Sequence, residues 1–199
     1  RAFIDDSDSG RLVLGGGLRT ASTVVLQGTA TTSGILTGTF TGDRTFTLPN
    51  MSGTVQLGTA IRKTAAETVN NSATLQNDDH FSFAIGANEV WAIDIVIDVT
   101  ASTAAADIQV TFTLPASGSM FLDVFGERVG LTQVHGKGTT PGTGVAITST
   151  SDITALRIKA TLVAAGTAGT AQFQWAQNTA EVSDLTFGIN SHMVLTRIA

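Results

Sequence analysis

The sequence predicts an all-β fold, a short intertwined β stem followed by a jelly-roll-like antiparallel β-sandwich, and three observations predict it. Apolar and polar residues alternate with period two over long stretches beyond residue 58, as in Ile93-Asp94-Ile95-Val96-Ile97-Asp98-Val99. The composition is rich in Thr (32) and Gly (21), while charged residues make up only 14%, against roughly 25% in an ordinary soluble domain. No stretch carries a convincing helical period. Helical bundles, coiled coils and collagen are thereby excluded, and the absence of Cys excludes disulfide scaffolds and Cys-ligated metal centres. A cysteine-free chain tolerates oxidising and reducing surroundings alike.

Residues 1–58 differ in texture from the rest. Their short apolar runs, Arg11–Leu14, Val24–Gln27, Ile35–Phe40, Arg44–Leu48 and Thr54–Leu57, are each bounded by Gly or Asn. Strands of this length separated by turn residues indicate β structure. So few large apolar side chains do not build a core within one chain. The remedy is a core shared between chains, with Leu12, Leu14, Val25, Leu26, Ile35 and Leu36 as candidates. Residues 1–58 therefore read as a stem and association region, and residues 59–199 as the head.

In the head, Phe81, Phe83 and Ile85 fall on one face and His80, Ser82 and Ala84 on the other. Within Val90–Val99 the set Ile93, Ile95, Ile97 and Val99 points inward while Asp94 and Asp98 point out. Ile108, Val110, Phe112 and Leu114 repeat the pattern, as do Leu156, Ile158, Ala160 and Leu162. Ala171–Gln177 and His192–Ile198 complete a set of seven or eight strands, each with one wet face. Gly136–Gly144 reads as a flexible tip and Thr100–Ala106 as a second loop.

Charge narrows the partners. A net charge of −5 and a pI near 5.0, with 11 scattered basic residues, argue against nucleic acid. No apolar run approaches the ~18 residues that a membrane helix needs, so membrane insertion is not expected. The N-terminus lacks the regions of a signal peptide, and a chain starting at Arg1 reads as a fragment or a processed product.

Chemistry-bearing patterns are weak. Asp5-Asp6-Ser7-Asp8-Ser9-Gly10 opens like a calcium loop but lacks the later ligands and the bidentate Glu, so a solvated acidic turn is the better reading. Gly15-Gly16-Gly17 precedes neither a helix nor a Lys-Ser/Thr pair, and cradles no phosphate. Asp94 and Asp98, four apart on a strand, stand ~13 Å apart, beyond the roughly 5–9.5 Å of glycosidase carboxylate pairs. His80, His135 and His192 form no ligand motif, although a three-fold axis would gather three copies of any one of them. No G-x-S-x-G elbow or Cys nucleophile is present. Asn50-Met51-Ser52 and Asn70-Asn71-Ser72 match the glycosylation sequon, which carries meaning only in a secretory pathway. Trp91 and Trp175 offer sugar-stacking surfaces, but their strand context favours packing. The expectation is a protein that is not an enzyme, with no catalytic residues, no cofactor, no metal and no assigned receptor-binding residues.

Three segments resemble parts of bacteriophage virion fibres. Residues 44–57, RTFTLPNMSGTVQL, resemble a "T-L-P-(D/N)-x-S-G-T-(V/L)-x-L" element that recurs in phage tail-fibre and related stem regions. Residues 63–91, KTAAETVNNSATLQNDDHFSFAIGANEVW, resemble the opening of the C-terminal domain of such proteins. Residues 166–198, GTAGTAQFQWAQNTAEVSDLTFGINSHMVLTRI, resemble its end, although Phe187–Leu195 only partly match the final-strand pattern. The resemblance implies a homotrimer on the exterior of a phage particle, joined to other virion proteins and adsorbing to a host surface glycan or envelope protein. A capsid head fibre or decoration protein with a purely stabilising role is the alternative, and a polysaccharide-degrading spike is remote. A low-charge stem that needs partner chains agrees with three-fold closure.

Overall fold

In the computed structural model, residues 58–101, 107–128, 133–148 and 153–199 are described, together with the backbone of two N-terminal strands. The chain divides into two units, Arg1–Gly53 and Thr54–Ala199.

In the first unit, β1 (Thr23–Gln27) pairs antiparallel with β2 (Ser33–Thr37), with Val25 opposite Ile35 and Val24 opposite Leu36. The expected strands around Leu12, Arg44–Leu48 and Thr54–Leu57, the acidic opening, the triple glycine and the sequon at Asn50 lie outside the described residues.

The second unit is all antiparallel β. Its strands are β3 (Thr59–Arg62), β4 (Glu67–Asn70), β5 (Gln76–Ile85), β6 (Val90–Ala101), β7 (Ile108–Thr113), β8 (Ser119–Arg128) and β9 (Gln133–Gly138). They continue with β10 (Val145–Ile147), β11 (Ile153–Val163), β12 (Gly169–Gln177), β13 (Asp184–Phe187) and β14 (His192–Arg197). One sheet runs β10-β7-β12-β5. The other runs β3-β14-β6-β11-β8-β9, with β13 beside β6 and β4 beyond it. The buried faces of both sheets supply one hydrophobic cluster, an arrangement compatible with a β-sandwich.

The alternation explains the burial. Ile93, Ile95, Ile97 and Val99 of β6 are buried, as are Leu156, Ile158, Ala160 and Leu162 of β11, while Asp94, Arg157 and Lys159 face out. In the smaller sheet Phe173 lies between Phe112 and Phe81, at ring-centroid distances of 5.2 and 6.1 Å in edge-on geometry.

Strand number exceeds the expectation because β3, β4, β10 and β13 are only three or four residues long, too short for alternation to register. β8 escaped for a different reason. Its buried set Met120, Leu122 and Val124 is interleaved with outward Phe121 and Phe125, so both faces are apolar. The expected tip is also shorter at its start, since Gly136, Lys137 and Gly138 belong to β9. These glycines let the two sheets close. A Cβ on Gly136 would lie 2.8 Å from both Val145 and Ile147, and one on Gly138 would overlap Val145. The remaining turn is pinned by Gly142, at φ 78°, whose N–H donates to the Phe112 carbonyl at 2.8 Å.

β13 and β14 read as one strand with an interruption. Phe187 opposes Val99 and His192 opposes Val96, so four intervening residues face two of β6. Asp98 holds this bulge. Its N–H donates to Ser191 Oγ at 3.1 Å, and its carboxylate accepts from Asn190 Nδ2 at 3.2 Å.

The β5–β6 turn is organised by Glu89. Its Oε2 accepts from the Gly86 N–H at 2.7 Å and the Trp91 indole N–H at 3.0 Å, and Oε1 pairs with Arg197 at 2.8 Å. The Gly86 backbone bond first and then the Trp91 indole hold this carboxyl below the ordinary 4.5, with the Arg197 charge adding to them and burial opposing. A lowered carboxyl contributes stability that is present above its unfolded value and lost as pH falls through its folded value. Glu89→Gln is therefore expected to be less stable than the parent near neutrality, with the difference vanishing in acid, as read by urea midpoints across a pH series.

Candidate functional site

The densest polar cluster lies where β3, β4 and β5 meet. The chain leaves β3 at Lys63, whose backbone N–H donates to the Ser191 carbonyl at 2.9 Å, turning the side chain into the interior. Lys63 is fully buried, with its ammonium 2.5 Å from Glu67 Oε2 and 2.6 Å from Asp78 Oδ2, and 5.5 Å from the centre of the Phe81 ring. Glu67 opens β4 and is nearly buried, and the Asp78 carboxylate is wholly so.

Asp78 sits on an irregularity in β5. Gln172 opposes Ser82 but Gln174 opposes Asn77, so the four residues from Asp78 to Phe81 face Phe173 alone. The cause is local: Asp78 Oδ1 accepts from the backbone N–H groups of His80 and Phe81, both at 2.9 Å, and folds the strand around its own side chain. Gln172 Nε2 fills the gap by donating to the Asp78 carbonyl at 2.9 Å. Glu67 Oε2 accepts additionally from the Asp79 N–H at 3.2 Å. His80 Nε2 pairs with Thr64 Oγ1 at 2.9 Å, and its buried Nδ1 has no partner among the described residues.

Two carboxylates share one ammonium. Burial raises the Glu67 carboxyl above its ordinary value, the Lys63 hydrogen bond opposes that, and the Asp78 charge pushes it up again. Ligand atoms of Glu67, Asp78 and His80 lie within 4.8 Å of one another, a spacing open to a metal ion. The Lys63 ammonium already holds the cationic position between the two carboxylates, so a divalent ion would have to displace it.

Other sequence candidates are dispersed. Asp94 pairs with Lys159 at 2.5 Å, and Asp98 serves the bulge, so each has its own partner. His135 pairs with Asp123 and lies against Phe125 at a ring distance of 4.8 Å, while His192 meets the Asn190 carbonyl at 3.4 Å. Of the three histidines only His80 joins a cluster of possible ligands among the described residues. Asn70 of the second sequon donates to Asp184 at 2.8 Å.

Trp175 is not a sugar platform: it is wholly buried and stacked on Phe187 at 3.8 Å and 11°. Trp91 is partly buried against Phe83 at 5.1 Å. The Gln174-Trp175-Ala176-Gln177-Asn178 segment is a staple. Buried Gln177 accepts from the Ser72 and Glu181 N–H groups at 3.1 and 2.9 Å and donates to the Ser183 carbonyl at 2.7 Å.

Two surface features remain open to a ligand. The turn after β9 encloses a depression of about 350 Å³ lined by Lys137, Thr139, Thr140 and Thr143 among glycines. The outer face of the larger sheet carries exposed Phe121 and Val194, with the Lys137 ammonium 5.1 Å from the centre of the Phe121 ring.

Sequence reasoning missed Lys63, Glu67, Asp78 and Gln177. Their windows carry no trace of this: Asp78 lies three residues from Phe81, which strict alternation reads as the wet face, yet it is buried. Comparison with protein-family models, curated proteins and solved structures finds no match to this chain.

Proposed function

We propose that this chain is the distal part of a homotrimeric fibre or spike on the exterior of a bacteriophage, whose jelly-roll-like head adsorbs to the host surface. One observation carries the reading. The two head segments that resemble phage fibres, 63–91 and 166–198, are far apart in sequence yet pair with each other in both sheets. β5 pairs with β12 and β4 with β13, and Lys63 bonds to Ser191. The resembling residues thus form one structural unit, as expected if they were acquired together.

The first unit supports association. Among the described residues of this unit, β1 and β2 pair only with each other, a two-stranded hairpin by itself is marginal in water, and partner chains remedy that. A receptor site at the Lys137–Thr143 depression needs only weak affinity, because three copies on one axis act together. The protein is expected to scatter light as three chains at micromolar concentration, and the isolated trimer to block phage adsorption in competition. A monomer would sink the assembly. A trimer that leaves adsorption untouched would favour a head fibre or decoration protein instead.

A further inference from the structure

We propose that Lys63 and Asp78 form an intramolecular isopeptide bond, made by the chain itself with Glu67 as the proton-transferring catalytic residue. The inference stands independently of the virion reading, since it rests on the buried cluster alone.

The arrangement has every part that the condensation needs. The nucleophile is the Lys63 nitrogen, 2.6 Å from Asp78 Oδ2 in a site where both side chains have no exposure. Glu67 Oε2, 2.5 Å from the same nitrogen, is placed to take a proton from the ammonium. Its carboxyl, raised by burial, holds that proton readily.

Glu67 passes that proton to Asp78 Oδ2, and the free amine then attacks Cγ of the resulting carboxylic acid. Negative charge develops on Oδ1, the oxygen that already accepts two backbone N–H groups at 2.9 Å, from His80 and Phe81. This is an oxyanion hole built by the β5 irregularity. The nitrogen then surrenders a second proton to Glu67, which passes it to the same Oδ2. The Nζ–Cγ bond forms, the Cγ–Oδ2 bond breaks, and Oδ2 leaves as water. An ammonium and a carboxylate have become an amide and one water, with Glu67 as it began and no oxidant or cofactor consumed. The reaction is a single turnover of the chain on itself.

The bond would tie the end of β3 to β5 across fifteen residues. Unzipping that began at β3, which among the described strands is hydrogen-bonded to β14 and lies at the sheet edge, would stop at a covalent stitch. That suits a protein with no cysteine from which to build a disulfide.

The test is the intact mass of the purified chain under denaturing conditions. The expected value is one water below the sequence mass, with a digest yielding a branched peptide that joins the Lys63 and Asp78 segments. Lys63→Arg, which keeps the cation, and Glu67→Gln should both show the full sequence mass. A parent chain of full mass with separate linear peptides overturns the proposal, and so does a lost water traced to a cyclised aspartate. A Glu67→Gln chain that still loses water removes Glu67 from the catalytic role.

Discussion

Lys63→Met is expected to destabilise the second unit by about 3–5 kcal/mol at neutral pH, the usual cost of removing one partner from a buried ion pair. The ammonium is the only cation within hydrogen-bond reach of Glu67 and Asp78 among the described residues. Without it, two carboxylates face each other, that of Asp78 wholly buried and that of Glu67 mostly so. Glu67, whose carboxyl burial already raises, responds by holding a proton, so the deficit should depend on pH with a defined sign. A carboxyl whose folded pKa is raised penalises the fold fully above that value, and the penalty fades as pH falls toward its unfolded value. The gap between parent and Lys63→Met, read by urea midpoints, should therefore be widest at pH above 7 and narrow toward 4.5, the ordinary value for Glu67. A gap that stays constant across this range would mean that the carboxylates find other partners. An amide between Lys63 and Asp78 would widen it further at every pH, because the substitution then also removes a cross-link.

Much of the head was legible because burial follows the pleat. In β6, β7, β11 and β12 one face is consistently apolar, and a period of two is visible without knowledge of partners. Legibility failed where that condition failed. Phe121 and Phe125 give β8 two apolar faces, and the β9 residues Gly136 and Gly138 present no side chain where the facing sheet approaches. The buried corner was illegible for a deeper reason. Lys63, Glu67 and Asp78 stand on three elements, and each looks like an ordinary surface residue in its own window. Only the fold of β5 around the Asp78 carboxylate turns that residue inward and makes the three converge. The Trp residues show the converse. Strand context favoured packing for both, and Trp175 follows it completely while Trp91 follows it in part.

Trp175→Ala is expected to cost about 3–5 kcal/mol, the range for deleting a large buried aromatic, and to lower Tm by roughly 6–20 °C for a unit of this size. Trp175 is the largest wholly buried side chain of the head. Its ring stacks on Phe187, and its neighbour Gln177 staples the 178–183 loop, so the cavity would open where β12, β13 and that loop meet. Trp175→Phe separates the contributions. It keeps an aromatic face for Phe187 and removes an indole N–H that has no hydrogen-bond partner among the described residues. An unpaired buried donor carries a desolvation penalty of about 1–3 kcal/mol, so losing it offsets part of the lost volume. Trp175→Phe should thus fall well short of the alanine loss in thermal unfolding. Equal losses for the two variants would show that the indole N–H is bonded, and would place a hidden acceptor beside it.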